Sequence, residues 1–500
     1  MNFVFRVDAS VYIGSGHVMR CLVLADELAA QGHRVCFACL PQEGDMVTFI
    51  QNRGFKVISL TSLGKSTPPK SDEDYLGWLQ RPIEVDAHNF IQLIENADVV
   101  VTDHYAIGCE WQTIVRHHYQ CKIVAIDDLK RIHDSDLIID QTLGRDSSEY
   151  SGDRAVLAGS QYSLISPHFS HVREKALEKT SYLVRPKVLV SMGGIDAPNA
   201  TLRVLESLSQ RVDADFTVLL SPRAPHYYKV IAFCAKYENL THIDFVQDMS
   251  QLMLLHDIAI GAPGSTTWER AALGLPSIVI PLAPNQNEIC TKLEAYNAAI
   301  RVSLLNLEEE LPEAYVKLVE NWSVYRSKSF NLCDGRGVKI AVAAINGVCG
   351  SSQSLHLEKA TTADISLVYD WQCHPSTRRF ALNKQIPSWD EHVKWMSLKL
   401  DNPGDMFYIV KEGLGGKPLG VYRLDRMSPN SYLISIFVAP DCHRRGVATR
   451  ILQLSDTVHS DITLHARVLK ENTASQALFE RAGYQRISSE KFIRYPINRD

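Results

Sequence analysis

NFVFRVDASVYIGSGHVMRCLVLADELAAQG, residues 2–32, decides the fold of the first part of the chain. An apolar run rich in Val and Phe ends at Asp8, and Ile13-Gly14-Ser15-Gly16-His17 follows as a glycine-bearing turn. Apolar residues then recur every three or four positions up to a stop glycine, Gly32. Strand, turn and helix in that order are the first half of a parallel crossover. Gly14 and Gly16 let the backbone approach a ligand, and the helix start favours anions. His17 stands at this turn, where a neutral imidazole can take a proton from water. The alternative is a pair of turn glycines beside an incidental histidine.

The same alternation continues outward. RVCFACL (34–40), KVISL (56–60), ADVVVTDHY (97–105), KIVAIDD (122–128) and DLIIDQ (136–141) are apolar runs ending in polar residues. Continuous apolar strands between helices make a parallel sheet covered on both faces, with ligands beyond the carboxyl ends of its strands. The polar residues at those ends are Asp8, Asp103, His104, Tyr105, Asp127 and Asp128. Cys36 and Cys39 form the one CxxC, but inside a strand, so they read as small core thiols rather than a redox or zinc pair. A second unit of the same kind starts near Arg185, with strands in KVLVSMGG (187–194), FTVLLSP (216–222), HIDFVQ (242–247), IAIGAPGS (258–265) and PSIVIPL (276–282).

Two turns of this second lobe suit a diphosphate. Gly193-Gly194 follows one strand, and Gly264-Ser265-Thr266-Thr267 follows another and opens a helix. Glu269, one turn into that helix, is placed to accept both ribose hydroxyls; it equally fits a capping box with Ser265 or Thr266.

Composition bounds the rest. The 500 residues carry a net charge of −5, which argues against bulk electrostatic binding to nucleic acid or an anionic membrane. No apolar run approaches the roughly 18 residues a membrane span needs. The start lacks the pattern of a signal peptide, and eleven scattered cysteines fit a reducing cytoplasm better than a disulfide framework. The expected domains are 1–175, 176–345, a linker at 346–355 and 356–500.

Residues 356–500 read as α+β. Strands in MFYIVKE (406–412), LGVYRLDR (419–426) and YLISIFVAP (432–440) form a meander, followed by helix, strand and helix. Phe437-Val438 ends a strand, and His443-Arg444-Arg445-Gly446-Val447-Ala448 opens a helix whose free amides and arginines suit a pyrophosphate. Trp389 and Trp395, in an amphipathic helix, are expected in the core.

The runs at 5–28, 100–105, 125–129, 188–201 and 259–286 together resemble the UDP-sugar hydrolase family of pseudaminic acid biosynthesis. The resemblance implies an α/β fold, a GT-B-like pair of doubly wound Rossmann-type lobes with water as acceptor. It implies inverting, metal-free hydrolysis of UDP-2,4-diacetamido-2,4,6-trideoxy-β-L-altropyranose. His17 falls on the base, and Ser265, Thr266, Thr267 and Glu269 on the nucleotide site. Asp103 and Tyr105 are expected to hold the sugar, and Asp8, Asn285 and Gln286 also belong to the implied substrate site.

Residues 356–500, with Asn472, Phe479 and Gly483-Tyr484 added to the motifs above, resemble the GNAT acyl-CoA transferases. That implies acetyl-CoA as co-substrate, bound by Phe437, Val438, Arg444, Arg445, Gly446, Val447, Ala448, Asn472 and Phe479. Two positions depart from the usual pattern. His443 stands where the family often has Gln or Arg, and Phe479 where many members have a proton-donating tyrosine. Arg378 and His392 lie in what looks like the acceptor region of nucleotide-aminosugar acetyltransferases and are expected to face UDP. The two resemblances imply consecutive steps on UDP-aminosugars. The rivals are a glycosyltransferase with a non-water acceptor, and a hydrolase carrying a non-catalytic or differently specific acyl-CoA module.

Overall fold

Seven strands of the N-terminal part are β1 (Asn2–Val7), β2 (Arg34–Cys39), β3 (Lys56–Ser59), β4 (Val99–Asp103), β5 (Lys122–Ile126), β6 (Leu137–Asp140) and β7 (Ala155–Ala158). They form one parallel sheet in the order β3-β2-β1-β4-β5-β6-β7. β4 and β6 are buried along their whole length, as a sheet covered on both faces requires. The computed structural model describes residues 1–497 other than 63, 65, 66, 72, 153, 154, 181–183 and 351–353, and all of Asn285 but its side chain.

The helix Gly16–Ala30 turns Val18, Cys21, Leu22, Leu24, Ala25 and Leu28 inward. It stops at Gly32, whose φ of 82° is the left-handed conformation that glycine adopts without strain. There Gly32 N–H reaches Ala29 O and His33 N–H reaches Leu28 O, which satisfies the last carbonyls.

A second parallel sheet contains β8 (Lys187–Ser191), β9 (Asp215–Leu219), β10 (Leu240–Ile243), β11 (Ile258–Gly261), β12 (Ser277–Val279) and β13 (Ala299–Arg301), in the order β10-β9-β8-β11-β12-β13. Both sheets reverse strand order once, between β1 and β4 and between β8 and β11. Such reversals open the crevices where α/β proteins bind ligands. β7 and β13, short edge strands, carry too little pattern to stand out in the sequence. Both sheets lie in one unit, Met1–Val338.

The second unit is Lys339–Asp500. Its sheet contains β14 (Leu355–Lys359), β15 (Met406–Glu412), β16 (Pro418–Ser428), β17 (Ser431–Val438), β18 (Thr463–Arg467), β19 (Gln485–Arg486) and β20 (Lys491–Arg494), in the order β14-β15-β16-β17-β18-β20-β19. β14 to β17 are antiparallel, and β18 joins β17 in parallel through the helix Val447–Val458. The expected linker at 346–355 is shorter: the helix Gly337–Cys349 runs into it, β14 begins at Leu355, and 351–353 lie outside the described residues. Among the described residues no helix is long and apolar enough to cross a membrane.

Candidate functional sites

His17 and Asp103 meet at the first sheet's reversal, one just after β1 and the other ending β4. Nδ1 of His17 is 2.6 Å from Oδ1 of Asp103. Asp103 is fully buried, and burial pushes its carboxyl up, but Arg20 and His17 together hold it below the usual carboxylate range. An ionised carboxylate only accepts, so Nδ1 carries the hydrogen and Nε2 of the neutral ring keeps a lone pair. Arg20 grips both oxygens of Asp103 at 2.6 Å and reaches Asp128 Oδ2 at 3.2 Å. Tyr105 stands edge-on to His17 with ring centroids 4.7 Å apart, and its hydroxyl donates to Asp128 Oδ2 at 3.0 Å.

The structure corrects the expected sugar contacts. Asp103 is spent on His17 and Arg20 and offers no oxygen to a sugar. Asp8 is buried beneath the site, where it accepts from Arg6 Nη1 at 2.6 Å and from the Leu40 amide at 2.7 Å. Arg6 in turn grips Asp86 at 3.0 and 2.7 Å, so a charged strip underlies the strand ends. Next to it, burial lowers His104 to about 4. Its Nδ1 accepts from the Ala106 amide, so the neutral ring carries its hydrogen on Nε2, 3.8 Å from Asp8 Oδ2. Gly14, with φ of 77°, and Gly16 both have open space where a side chain would be.

The second reversal gathers the glycine turns after β8 and β11. Gly193, with φ of 89°, Gly194 and Gly264 have nothing within 4 Å of an added Cβ, which leaves room for a ligand against the backbone. Neither Ser265 nor Thr266 forms the capping box with Glu269: Ser265 makes no side-chain cap bond. Burial pushes the Glu269 carboxyl up to about 7, against the pull of Arg270. The buried Thr267 hydroxyl accepts from Arg270 Nη2 at 3.2 Å. The Gln286 side-chain oxygen accepts from the Leu282 amide at 2.8 Å. The Asn285 side chain lies outside the described residues. Lys130 and Arg145, from the first sheet's loops, both help lower the Glu288 carboxyl of the second lobe, after the larger effect of Lys292.

In the second unit β17 and β18 pair only from Ser431–Thr463 to Leu433–His465, while β17 continues to Val438. The backbone from Ile434 onward, including Phe437 and Val438, therefore has no strand partner on that side among the described residues. Beyond it His443 Nε2 lies 3.1 Å from Val438 O, and Arg444 and Arg445 are exposed. Arg444 and Gly446 are left-handed, with φ of 62° and 73°, and Gly446 caps the helix Val447–Val458. The Val447 side chain is buried, so only its backbone is available to a ligand, and Ala448 is half-buried. Asn472 is a helix cap, its oxygen accepting from the Ser475 amide at 3.1 Å. Phe479 packs against Tyr484 and Phe492, at centroid distances of 5.0 and 6.1 Å.

The acceptor region holds polar groups without protein partners. Arg378 donates through Nη1 to Asn383 O at 3.0 Å, while its Nε and Nη2 are buried and unpartnered. His392 is not open to solvent: it is buried, donates through Nε2 to Ile365 O at 3.1 Å, and leaves Nδ1 unpartnered. Burial lowers its pKa, and the nearby Arg378 charge adds to this. Gln372 Oε1 and Thr377 Oγ1 are likewise unpartnered. Trp389 is 45% exposed rather than core, and Trp395 packs at the core's margin under Arg423.

Sequence reasoning missed Arg20, Tyr75 and Trp78. Arg20 follows His17 by three positions on a helix, a spacing that puts both on one face. Tyr75 and Trp78, on the short helix Tyr75–Leu79, lie 5.0 and 5.6 Å from the Tyr105 ring, and no periodicity announced them. Among the described residues no group of three His, Cys, Asp or Glu side chains is gathered as for a metal ion.

Comparison with known proteins agrees with this division. Residues 189–332 match the glycosyltransferase family 28 C-terminal domain, and residues 354–485 the acetyltransferase (GNAT) domain. An uncharacterized protein of Methanocaldococcus jannaschii is 22% identical over 511 residues, covering 97% of each chain. The UDP-2,4-diacetamido-2,4,6-trideoxy-beta-L-altropyranose hydrolase of Campylobacter jejuni is 25% identical over 299 residues, 59% of this chain and 96% of its own. The spore coat polysaccharide biosynthesis protein SpsG of Bacillus subtilis is 24% identical over 360 residues, 69% of this chain and 97% of its own. The crystal structure of Acinetobacter baumannii MurG shares the two-lobed fold, with a TM-score of 0.50 and 15% identity over 69% of this chain and 99% of its own. The chain thus joins a region homologous to the Campylobacter hydrolase to a GNAT domain.

Proposed function

We propose that the chain, a nucleotide-sugar biosynthetic enzyme with an acetyltransferase domain, carries out two consecutive steps. The C-terminal unit transfers an acetyl group from acetyl-CoA to the 4-amino group of UDP-4-amino-4,6-dideoxy-β-L-AltNAc. The first unit hydrolyses the product, UDP-2,4-diacetamido-2,4,6-trideoxy-β-L-altropyranose, to free sugar and UDP with inversion. The setting is pseudaminic acid biosynthesis in the cytoplasm, with which eleven free cysteines are compatible.

The observation that carries the hydrolase reading is the His17–Asp103 pair at one sheet reversal, in the same unit as the open glycine turns at the other. Asp103 holds Nδ1–H, so Nε2 takes a proton from water as the water oxygen bonds to the anomeric carbon. The carbon–oxygen bond to the diphosphate breaks on the opposite face and UDP leaves with the electron pair, which inverts the centre. A positioned base of this kind supplies roughly 10²–10⁴ in rate. Gly193, Gly194 and Gly264, with the hydroxyls of Ser265 and Thr266, suit the diphosphate, and the unpartnered Glu269 carboxylate suits the ribose diol.

In the second unit the open edge of β17 suits the pantetheine arm, and the Arg444-Arg445-Gly446 turn the pyrophosphate of acetyl-CoA. The two buried, unpartnered nitrogens of Arg378 suit the diphosphate of a nucleotide-sugar. The amine attacks the thioester carbonyl, the C–S bond breaks, and CoA leaves as thiolate. Phe479 has no proton to give it, so protonation falls to water and catalysis rests on positioning.

The test uses the intact protein and UDP-4-amino-4,6-dideoxy-β-L-AltNAc, with and without acetyl-CoA, followed by NMR of amide formation, UDP release and the anomeric proton. Acetyl-CoA-dependent UDP release, with His17→Ala stopping at the acetylated UDP-sugar, is the expected result. UDP release that needs a sugar or lipid acceptor identifies a glycosyltransferase instead.

A further inference from the structure

Arg270 is a buried cation that the hydrolytic step does not use. It follows Glu269 on the helix Thr266–Ala272. Its Nη2 donates to Ala262 O at 3.0 Å and to Thr267 Oγ1 at 3.2 Å, one on either side of Gly264. Its Nε is buried without a partner. Its Nη1 lies beside Gly261, where an added Cβ would come within 2.9 Å of it and closer still to Ser191 O. Gly261 and Ser191 are the last paired residues of β11 and β8. The guanidinium therefore sits where both open turns, Gly193-Gly194 and Gly264, leave the sheet.

A buried guanidinium is costly unless a carboxylate shares its surroundings. Three buried arginines of the first lobe have one: Arg6 holds Asp8 and Asp86, Arg20 holds Asp103, and Arg145 holds Asp140. The acceptors of Arg270 are a carbonyl and a hydroxyl, both neutral. Burial lowers its guanidinium to about 10, against the attraction of Glu269, the carboxylate that acts on it most. Glu269 is itself pushed up by burial to about 7, so at neutral pH it offsets only part of the charge. An anion in the open space over the glycines supplies the rest.

We propose that Arg270 is a positioning residue of the nucleotide site, which braces the turn around Gly264 and acts from beneath both glycine turns as the countercharge of the diphosphate. The inference rests on the hydrolase reading above. It also bears on the chemical step: UDP carries more negative charge than the UDP-sugar it leaves, so a fixed cation below the diphosphate favours its departure.

The test compares the binding of UDP and of uridine to the full-length protein by calorimetry and NMR titration. Arg270→Met keeps the bulk and removes the charge. It is expected to weaken UDP about tenfold or more and to leave uridine at its original affinity, which also reports a folded site. Arg270→Lys keeps the charge and is expected to restore most of the UDP affinity. Arg270→Gln, which can still donate to Ala262 O, replaces Arg270→Met if the latter does not fold. Equal weakening of UDP and uridine identifies a brace with no charge role and overturns the proposal. So does UDP affinity that survives loss of the charge, or a loss in Arg270→Lys as large as in Arg270→Met. Failure of the intact protein to bind UDP overturns the hydrolase reading and this inference with it.

Discussion

Nδ1 of His17 and Oδ1 of Asp103 stand 2.6 Å apart although 86 positions separate them in the chain. The contact fixes which imidazole nitrogen bears hydrogen, and so which one is free to act as a base. Arg20, holding both oxygens of Asp103, prevents the carboxylate from turning away. His17→Asn is expected to lower kcat for UDP release by about 10²–10⁴ with little change in UDP affinity. Asp103→Asn, which frees the ring to adopt the wrong tautomer, is expected to cost about 10²-fold or more in the same assay. Steady-state kinetics with calorimetric UDP binding checks both.

The role proposed for Glu269 carries a pH dependence. Burial raises its carboxyl to about 7, and ribose hydroxyls bind the ionised form. UDP affinity should therefore rise between about pH 6 and 8, and Glu269→Gln should flatten the curve. Stability runs the opposite way. A carboxyl whose folded pKa is raised contributes stability that is complete below its unfolded value and is lost as pH climbs through 7. Thermal melts across that range should fall less steeply for Glu269→Gln.

On the proposed function, Arg378 binds the UDP-aminosugar and not acetyl-CoA. Its Nε and Nη2 have no protein partner to lose, and Arg378→Ala gives up one internal hydrogen bond, Nη1 to Asn383 O. The KM for the UDP-aminosugar should rise about tenfold to a hundredfold, as expected for lost charge-assisted hydrogen bonds, while the KM for acetyl-CoA stays put.

Gly446 tests the other side of that unit. Its φ is 73° and an added Cβ meets nothing within 4 Å, so Gly446→Ala carries only the conformational cost, roughly 1–2 kcal/mol. Relaxation of the turn should raise the KM for acetyl-CoA several-fold and spare the KM for the UDP-aminosugar.

Arg6 is a matter of stability alone. It lies fully buried between Asp8 and Asp86, at 2.6 and 2.7 Å. Arg6→Met removes the buried guanidinium that both carboxylates share, leaving Asp8 the Leu40 amide and Asp86 the Trp111 Nε1 and Arg81, and should cost about 3–5 kcal/mol in denaturant unfolding of the first unit.

Strand ends were legible in the sequence, and side-chain direction was not. The apolar runs located the carboxyl edge of each parallel sheet, and with it His17, Asp103, Gly193 and Gly264. Whether an aspartate there faces a ligand or its own neighbours depends on partners far away in the chain. Asp103 turned to His17 and Arg20, and Asp8 to Arg6 and Leu40. Thr267 and Asn472 each accept a hydrogen bond from three residues further along their own helices, contacts that the sequence admitted equally well. Tyr75 and Trp78 sit on a helix of five residues, too short for a hydrophobic period, and reach the site only because the fold brings them to Tyr105. Trp389 lies at the first turn of its helix, where an amphipathic pattern says least about which way a ring points.

The early parting of β17 from β18 bears on solubility. A strand with unpaired amides and carbonyls is ordinarily a hazard, since a neighbouring molecule can extend the sheet and begin aggregation. Here β17 keeps β16 on one side through Val438, and on the other β18 pairs only as far as Leu433. The bare edge is thus recessed inside a sheet rather than displayed at its rim. The unit can thus leave part of the β17 backbone unpaired by a neighbouring strand without offering other proteins a template at its rim.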